Sequence, residues 1–469
     1  MIFPETSVVF STSDDTWQRV FDAAENVEKQ NIKTWNGRRV LVEGGIYNGL
    51  WLETQPMGGE MYASRDVDVA MNNQLFFMEN VREDGRIPSV LHFNNGKMRI
   101  TYSHFQGYCF PYHALNLWYL SGKDPDYLND LYRVLSGFDD YLWRTRDTDG
   151  NGCLESFCIW DTGEDSAARF FGGPNSWESD EPPYGQARLP YESMDVMAYS
   201  YDGCITLAEI SEILGNGERR KWLNRAAQTK KTLNSYLWRE EKGALYDRDC
   251  DNLFLDTLIH NNLRVMYHGA YEANKAVRFV NEHLLNENEF FTPMPLTSVA
   301  ANDPLFISDP DNNWSGQPEG LTYQRSVRAL ENYGFSYLVP VFGHKLCDAL
   351  AMNDPVLFTQ QFDPFTCVPQ AARASKNGDY GPTALAFLNF TTHMYGVEYR
   401  RDRLIWSSLG DSGGCEYTQR IGNNAYTIKN DGTKASGEIN GRTVFTVPCG
   451  HRVVTDLKGT VRFSEKVFG

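Results

Sequence analysis

M-D-V-M-A-Y-S-Y-D-G-C-I-T-L-A-E-I-S-E-I-L, Met194 to Leu214, runs into G-N-G at Gly215–Gly217 and then into R-K-W-L-N-R-A-A-Q-T-K-K-T-L-N-S-Y-L, Arg220 to Leu237. Apolar residues return every three or four positions on both sides of the glycine turn, which is the period of a helix. So short a linker folds the second helix back along the first. The two segments read as one helical hairpin.

The same spacing recurs outward from it, in Val67–Val81, Tyr108–Leu120, Tyr127–Leu142, Tyr271–Leu284, Tyr323–Asn332, Tyr337–Ala351 and Thr383–Tyr395. Short turns such as Ser121–Pro125 alternate with long Gly/Pro/aromatic-rich segments, Asp147–Pro190 and Asn286–Gly320. That alternation suits helical hairpins set in a ring, with the long loops gathered at one end. About ten helices are legible by period, close to the twelve of an (α/α)6 barrel, or six-hairpin toroid. An α-solenoid would need a fixed repeat length, and none is present.

After Asp411 the pattern changes to alternation. Y-T-I-K-N-D-G (Tyr426–Gly432), G-R-T-V-F-T-V-P-C-G (Gly441–Gly450) and V-V-T-D-L-K-G-T-V-R-F read as strands, with N-D-G and I-N-G as hairpin turns. The expected organisation is a mainly α barrel over residues 1–410 and a small antiparallel β unit over 411–469, docked on it because so few strands are marginal alone. A shorter β segment is expected near Arg39–Glu53, where V-L-V-E-G-G-I-Y-N-G-L-W-L-E alternates.

Bulk composition narrows the partners. The 469 residues are 41% hydrophobic, 13% aromatic and 22% charged, enough apolar content for a large core. Lys and Arg number 44 against 61 Asp and Glu, a net charge of −17 with no basic run, which excludes nucleic acid and anionic membranes as expected partners. No apolar run reaches membrane-spanning length and no basic leader opens the chain. Nine dispersed cysteines without a C-x-x-C pair read as free thiols, so the expected compartment is the cytoplasm. Nine histidines form no H-E-x-x-H or H-x-H cluster, and no metal or cofactor is expected in catalysis. D-T-D-G-N-G (Asp147–Gly152) begins like a calcium loop but carries Cys158 where position twelve needs Glu; an Asx-rich turn fits it better.

Chemistry concentrates in W-D-T-G-E-D-S-A-A-R, Trp160 to Arg169. An aromatic face, three acids (Asp161, Glu164, Asp165) and one guanidinium on a loop are what sugar chemistry needs. The indole stacks on a pyranose, Arg169 binds hydroxyls, and an acid kept protonated donates to a glycosidic oxygen. The competing reading is a polar loop with a capping Asp. Asp66 and Asp68 in Y-A-S-R-D-V-D open a helix, where they either cap it or face substrate. In N-N-W-S-G-Q-P-E-G-L-T-Y-Q (Asn312–Gln324), Trp314 and Gln317 form a candidate sugar platform, and Pro318-Glu319 fits a first helical turn.

Taken in order, these segments resemble a known family. R-E-D-G-R-I-P (Arg82–Pro88), F-Q-G-Y (Phe105–Tyr108), S-G-K-D-P-D-Y-L (Ser121–Leu128), D-x-D-G-N-G and W-D-T-G-E-D-S-A-A-R, then F-F-T-P-M-P-L-T-S-V-A-A-N-D-P (Phe290–Pro304), N-W-S-G (Asn313–Gly316) and F-D-P-F-T (Phe362–Thr366), follow one another as in glycoside hydrolases related to mannosylglycerate hydrolase and processing α-glucosidase I. The resemblance covers about residues 45–400. It implies an exo-acting, inverting glycosidase on a small α-linked glycoside or oligosaccharide. Asp165 stands at the position of the general acid, and Gln106, Trp160, Arg169, Trp314, Gln317 and Asp66 are expected around the sugar.

Inversion needs a second carboxylate about 6.5–9.5 Å from the acid. Where the relatives carry a Glu before Y-N-P or Y-D-P, this chain has Gln360 and Gln361 before Phe362-Asp363-Pro364, and an amide cannot accept the proton. Their W-R-G-P-V-W is altered to W-S-G-Q-P-E, which brings in Glu319. Glu319 is the expected base, Asp363 its rival, and a glutamate replaced at Gln360 or Gln361 the third reading. Two other functions compete: an epimerase or lyase working through His104, His113 or His268, and a sugar-binding protein without hydrolysis. The sequence does not specify sugar, linkage or oligomeric state.

Overall fold

A computed structural model describes residues 3–310, 314–370, 379–410 and 413–468. Its helices are α1 (Asp15–Gln30), α2 (Gln55–Tyr62), α3 (Val67–Glu79), α4 (Pro111–Leu120), α5 (Pro125–Thr145), α6 (Met194–Leu214), α7 (Arg219–Tyr236), α8 (Asn261–His268), α9 (Ala273–Phe279), α10 (Gly320–Glu331), α11 (Val339–Ala351) and α12 (Gly381–Tyr395). The glycine turn after Leu214 makes the predicted hairpin: Gly215 takes the left-handed conformation (φ 63°) that ends α6, and α7 packs back along it.

Two kinds of helix are present. α1 and α5 are amphipathic, burying Trp17, Val20, Phe21 and Ala24 in one and Leu128, Leu131, Leu135 and Phe138 in the other. α8 is buried at every residue, and α12 at all but Asn389 and Thr392. Helices buried on all sides need neighbours all round, and the packing supplies them. α2 touches α4, α4 touches α6, α6 touches α8, α8 touches α10, α10 touches α12 and α12 touches α2. Two of these helices escape the periodicity argument because they turn polar residues inward: Gln55 in α2, and Asn261, Asn262, Arg264 and His268 in α8.

Among the described residues every pair of strands is antiparallel. One five-stranded sheet runs Thr6–Thr12, Cys415–Ile421, Asn424–Asn430, Lys434–Ile439, Arg442–Pro448 in spatial order, and a four-stranded sheet runs Val397–Arg400, Arg403–Ser407, His451–Asp456, Val461–Lys466. The sheets therefore include Thr6–Thr12 and Val397–Ser407, which lie on the helical side of residue 410. Asn440 and Gly441 (φ 52° and 79°) form the I-N-G hairpin turn. Both sheets rest on α12, where Thr392 and Tyr417 join hydroxyls at 3.1 Å. The predicted Arg39–Glu53 segment splits in two: Arg38–Leu41 pairs with Ile32–Trp35, and Gly49–Trp51 pairs with Val90–Asn94. Among the described residues no helix is long and apolar enough to cross a membrane.

Candidate active site

A cavity of about 460 Å³ opens where the chain enters α2, α4, α10 and α12. This is within the usual size of small-ligand pockets, roughly 300–1,000 Å³. Its wall includes Trp160, Trp314, Tyr47 and Tyr380 among the aromatics, Gln106 and Gln360 among the amides, and the carboxylates Glu43, Glu53, Asp165 and Glu178. Several loops that are distant in sequence thus converge on one concave surface, aromatic and acidic at once.

The loop that carries Asp165 is fixed by its other acids. Asp161 is buried and accepts from the backbone N–H of Phe105 (3.0 Å) and of Phe157 (2.7 Å), tying the loop to the entry of α4. Glu164 points the opposite way from the cavity, to Arg169 (2.6 Å), Asn261 (2.9 Å) and His260 (3.3 Å), and the Arg169 guanidinium helps hold its carboxyl well below the usual range despite burial. With both neighbours turned into the protein, Asp165 is left half-buried at the cavity surface beside Trp160. Burial first, then the charge of Glu53, pushes its carboxyl up to about 6. The acidic neighbour that acts on it is Glu53, not Glu164 or Asp161, the acids adjacent in sequence.

Glu53 lies beneath this loop. Its Oε1 meets Arg325 at 2.7 Å and stands 3.9 Å from Arg264, while Gln106 donates to Oε2 at 3.4 Å. Burial still raises its carboxyl, against the pull of the two arginines. Arg264 also lies 5.1 Å from the centre of the Trp314 ring, so one of the two cations near Glu53 meets the indole as well. Trp314 holds a left-handed backbone (φ 66°), an uncommon state for a bulky residue and one that concentrates at functional sites.

On another wall, Glu43 accepts a hydrogen bond from the Tyr380 hydroxyl at 2.8 Å. Burial pushes its carboxyl up to about 8, with Glu53 and Asp165 adding to the shift. Tyr47 donates to Gln360 Oε1 at 3.4 Å, and its ring is 6.2 Å from that of Tyr380. Glu43 follows a short strand and precedes Gly44-Gly45, so pattern reading gives it only a β role. Glu53 and Tyr380 carry no motif either. The arginines that hold Glu53 sit inside helices, where charge at an inward position is the one sequence signal available.

Of the expected site residues, the cavity gathers Asp165, Trp160, Trp314 and Gln106. Asp66 is not among them: it caps α3 through the Val69 N–H and pairs with Arg39 at 2.7 Å, the structural alternative. Arg169 is buried between Glu164, Asp195 and Asp247 with its face over Phe170, so it braces the loop and does not line the cavity. Gln317 is buried and donates to the Asp309 carbonyl. Glu319 is wholly buried behind the wall; Oε1 accepts from the Trp314 N–H at 3.4 Å, and burial with nearby Asp165 and Glu53 raises its carboxyl well above the usual range. Asp363 spends Oδ1 on Phe365 and Thr366 and lies off the cavity. Asn312 and Asn313 lie outside the described residues.

Of the three candidate histidines, His104 lines the cavity, whereas His113 pairs with Glu60 and His268 with Asp202 elsewhere. In Asp147–Gly152 the acids turn to backbone N–H groups, Asp147 to Gly152 and Asp149 to Asn151. Among the described residues Glu331, His393 and Glu398 come close enough to share an ion, but Arg400 already bridges both glutamates and Arg452 takes Glu331. All nine cysteines are free.

Comparison with known proteins identifies the family. Residues 56–372 match the model of the mannosylglycerate hydrolase MGH1-like glycoside hydrolase domain. The fold is similar to that of a GH63 mannosylglycerate hydrolase from Thermus thermophilus, at 15% identity and TM-score 0.63 over 79% of this chain and 100% of that one. It is similar as well to the neutral trehalase of Saccharomyces cerevisiae (14% identity, TM-score 0.55, 79% of this chain and 80% of that one) and to a sialidase (13%, TM-score 0.73, 96% of this chain and 42% of that one). No curated protein matches by sequence. The matched domain spans well over half of the chain, which is therefore a glycoside hydrolase of the mannosylglycerate hydrolase MGH1-like family.

Proposed function

We propose that this enzyme is an exo-acting, inverting glycosidase for a small α-linked glycoside, with Asp165 as the proton donor. The observation that carries the reading is the state of Asp165: a half-buried carboxyl raised to about 6, beside an indole, at the wall of a cavity with the volume of a small ligand. A terminal sugar seated against Trp160 and Trp314 would present its glycosidic oxygen to that proton. Cleavage then needs the leaving oxygen to take the Asp165 proton as its bond to the anomeric carbon breaks. Gln106 and Gln360 supply hydrogen bonds to hydroxyls.

The order of helix contacts, α2 round to α12 and back, supports closure as an (α/α)6 toroid, with the β sheets as a docked accessory unit. Free cysteines throughout favour a reducing compartment, the cytoplasm. Of the other reactions on such a scaffold, a histidine-based one would have to use His104 or His92, which both line the cavity; burial lowers both rings, that of His104 to about 3. The test is hydrolysis of 4-nitrophenyl α-glucoside and α-mannoside, with proton NMR of the first anomer released. A β-anomer is expected; initial release of the α-anomer would sink the inverting assignment.

A further inference from the structure

We infer that Glu43 is the carboxylate that activates water, in the place that Gln360 cannot fill. The inference rests on the glycosidase reading above and extends it to a residue outside every sequence motif.

Among the described residues four carboxylates line the cavity, and three have other commitments. Asp165 is the donor. Glu53 is held by Arg325 and Arg264 and receives Gln106. Glu178 is exposed on the Pro/Gly-rich loop at the mouth. Glu319 and Asp363 offer no surface to the cavity. Glu43 remains, 94% buried, with its remaining surface in the cavity wall.

Its position is tied to that of Gln360. Glu43 and Gln360 are joined through two phenols, Tyr380 on Glu43 and Tyr47 on Gln360, whose rings adjoin. The backbones are joined too: Gly381 donates its N–H to the Glu43 carbonyl at 2.9 Å, and Tyr380 donates to the Phe358 carbonyl at 3.0 Å, two residues before Gln360. Gly44 fixes the strand end. At φ 92° a Cβ there would stand 2.4 Å from the Asp379 carbonyl, so the chain passes too close to admit a side chain. Glu43 is thus built into the wall that holds Gln360, which makes it a carboxylate beside an amide that cannot act as a base.

The groups facing Glu43 are Tyr380, Tyr47, Glu53, Asp165 and Thr54. Tyr380 hydrogen-bonds the ionised form, and the two acids make it more basic. In the step, water oxygen bonds to the anomeric carbon as the glycosidic C–O bond breaks. One water proton passes to Glu43, and the Asp165 proton goes to the departing oxygen. The products are an alcohol and the inverted hemiacetal, and solvent exchange restores both carboxyls.

The experiment compares Glu43→Ala, Glu43→Gln, Glu319→Gln and Asp165→Asn in the full-length enzyme, on whichever 4-nitrophenyl α-glycoside the wild type cleaves. Each variant is first checked by circular dichroism and thermal unfolding. Glu43→Ala should lose about 10²–10⁴-fold in kcat. Sodium azide should restore turnover with a β-glycosyl azide as product, whereas Glu319→Gln should keep most activity. Should Glu43→Ala misfold, the near-isosteric Glu43→Gln carries the test, since it keeps the volume and loses only the basicity. Glu43→Gln retaining more than a tenth of activity, or loss in Glu319→Gln alone, overturns the inference. Net retention overturns it too, since Glu43 would then be activating the Tyr380 hydroxyl. An active Asp165→Asn overturns the donor assignment instead, and a wild type that cleaves neither glycoside counts against the small α-glycoside reading on which both rest.

Discussion

Glu53 Oε2 lies so close beneath Gly163 that a Cβ on the glycine would stand 2.5 Å from it. The left-handed turn at Gly163 (φ 74°) lets the loop pass over the carboxylate and deliver Asp165 two residues later. Gly163→Ala meets both the conformational cost, about 1–3 kcal/mol, and the clash. A loss of at least about tenfold in kcat/KM is expected, as a 1 Å displacement of a reacting group costs up to about 10²-fold. Removing the clash with Glu53→Ala should make the double mutant more stable than the two single losses added together. Additive stabilities by urea unfolding would show that the two residues are not in contact.

Asp165→Asn tests the donor by its leaving-group dependence. A donor matters most when the leaving oxygen is basic, so an alkyl glycoside should lose about 10³-fold or more while a dinitrophenyl glycoside loses far less. Equal losses on both substrates would move Asp165 from proton donation to binding.

The same substitution has a signature in stability. Asp165 binds its proton more tightly in the folded protein, about 6 against the ordinary 3.8, so ionising it disfavours the fold. Stability from this group is fully present below pH 3.8 and is lost as pH rises through about 6. Asp165→Asn should therefore resist urea better than wild type above pH 6, with the advantage shrinking towards pH 4. A variant less stable than wild type at pH 7 would contradict that sign.

Much of the helical frame is legible because the period of outer helices such as α5 and α7 follows from one buried face. The site is legible only in part, for a physical reason. Trp160 and Asp165 sit in a loop whose composition has no use in a core. Glu43 and Glu53 sit at the ends of apolar strands, where a lone acid looks like punctuation; only the fold places them near Asp165. Arg169 misleads for the converse reason: next to acids in sequence, it pairs with Glu164 and with Asp247, 78 residues on.

Arg169 is a brace, so its loss should show as instability. Arg169→Met leaves Glu164, Asp195 and Asp247 buried without their shared cation, and breaking such a cluster costs about 3–5 kcal/mol. Asp66→Ala removes a cap and an exposed ion pair and should cost about 1 kcal/mol with no change in kcat. Urea unfolding at pH 7 measures both; an Arg169→Met protein of wild-type stability with a raised KM would return Arg169 to the substrate.

The pH profile separates the two catalytic carboxyls. Catalysis needs Asp165 protonated and Glu43 ionised, yet Asp165 sits at about 6 and Glu43 at about 8. Between those values most molecules hold the opposite arrangement, and only about 1% of the free enzyme has the active one. The kcat/KM profile should still be a bell with limbs near 6 and 8, because the active form belongs to the singly protonated pair. Glu43→Ala with saturating azide no longer needs a base, so only Asp165 titrates. Its descending limb should then move from near 8 to near 6. With the order reversed, Asp165 high and Glu43 low, that limb would stay near 8, and the electrostatic assignment of the pair would be wrong.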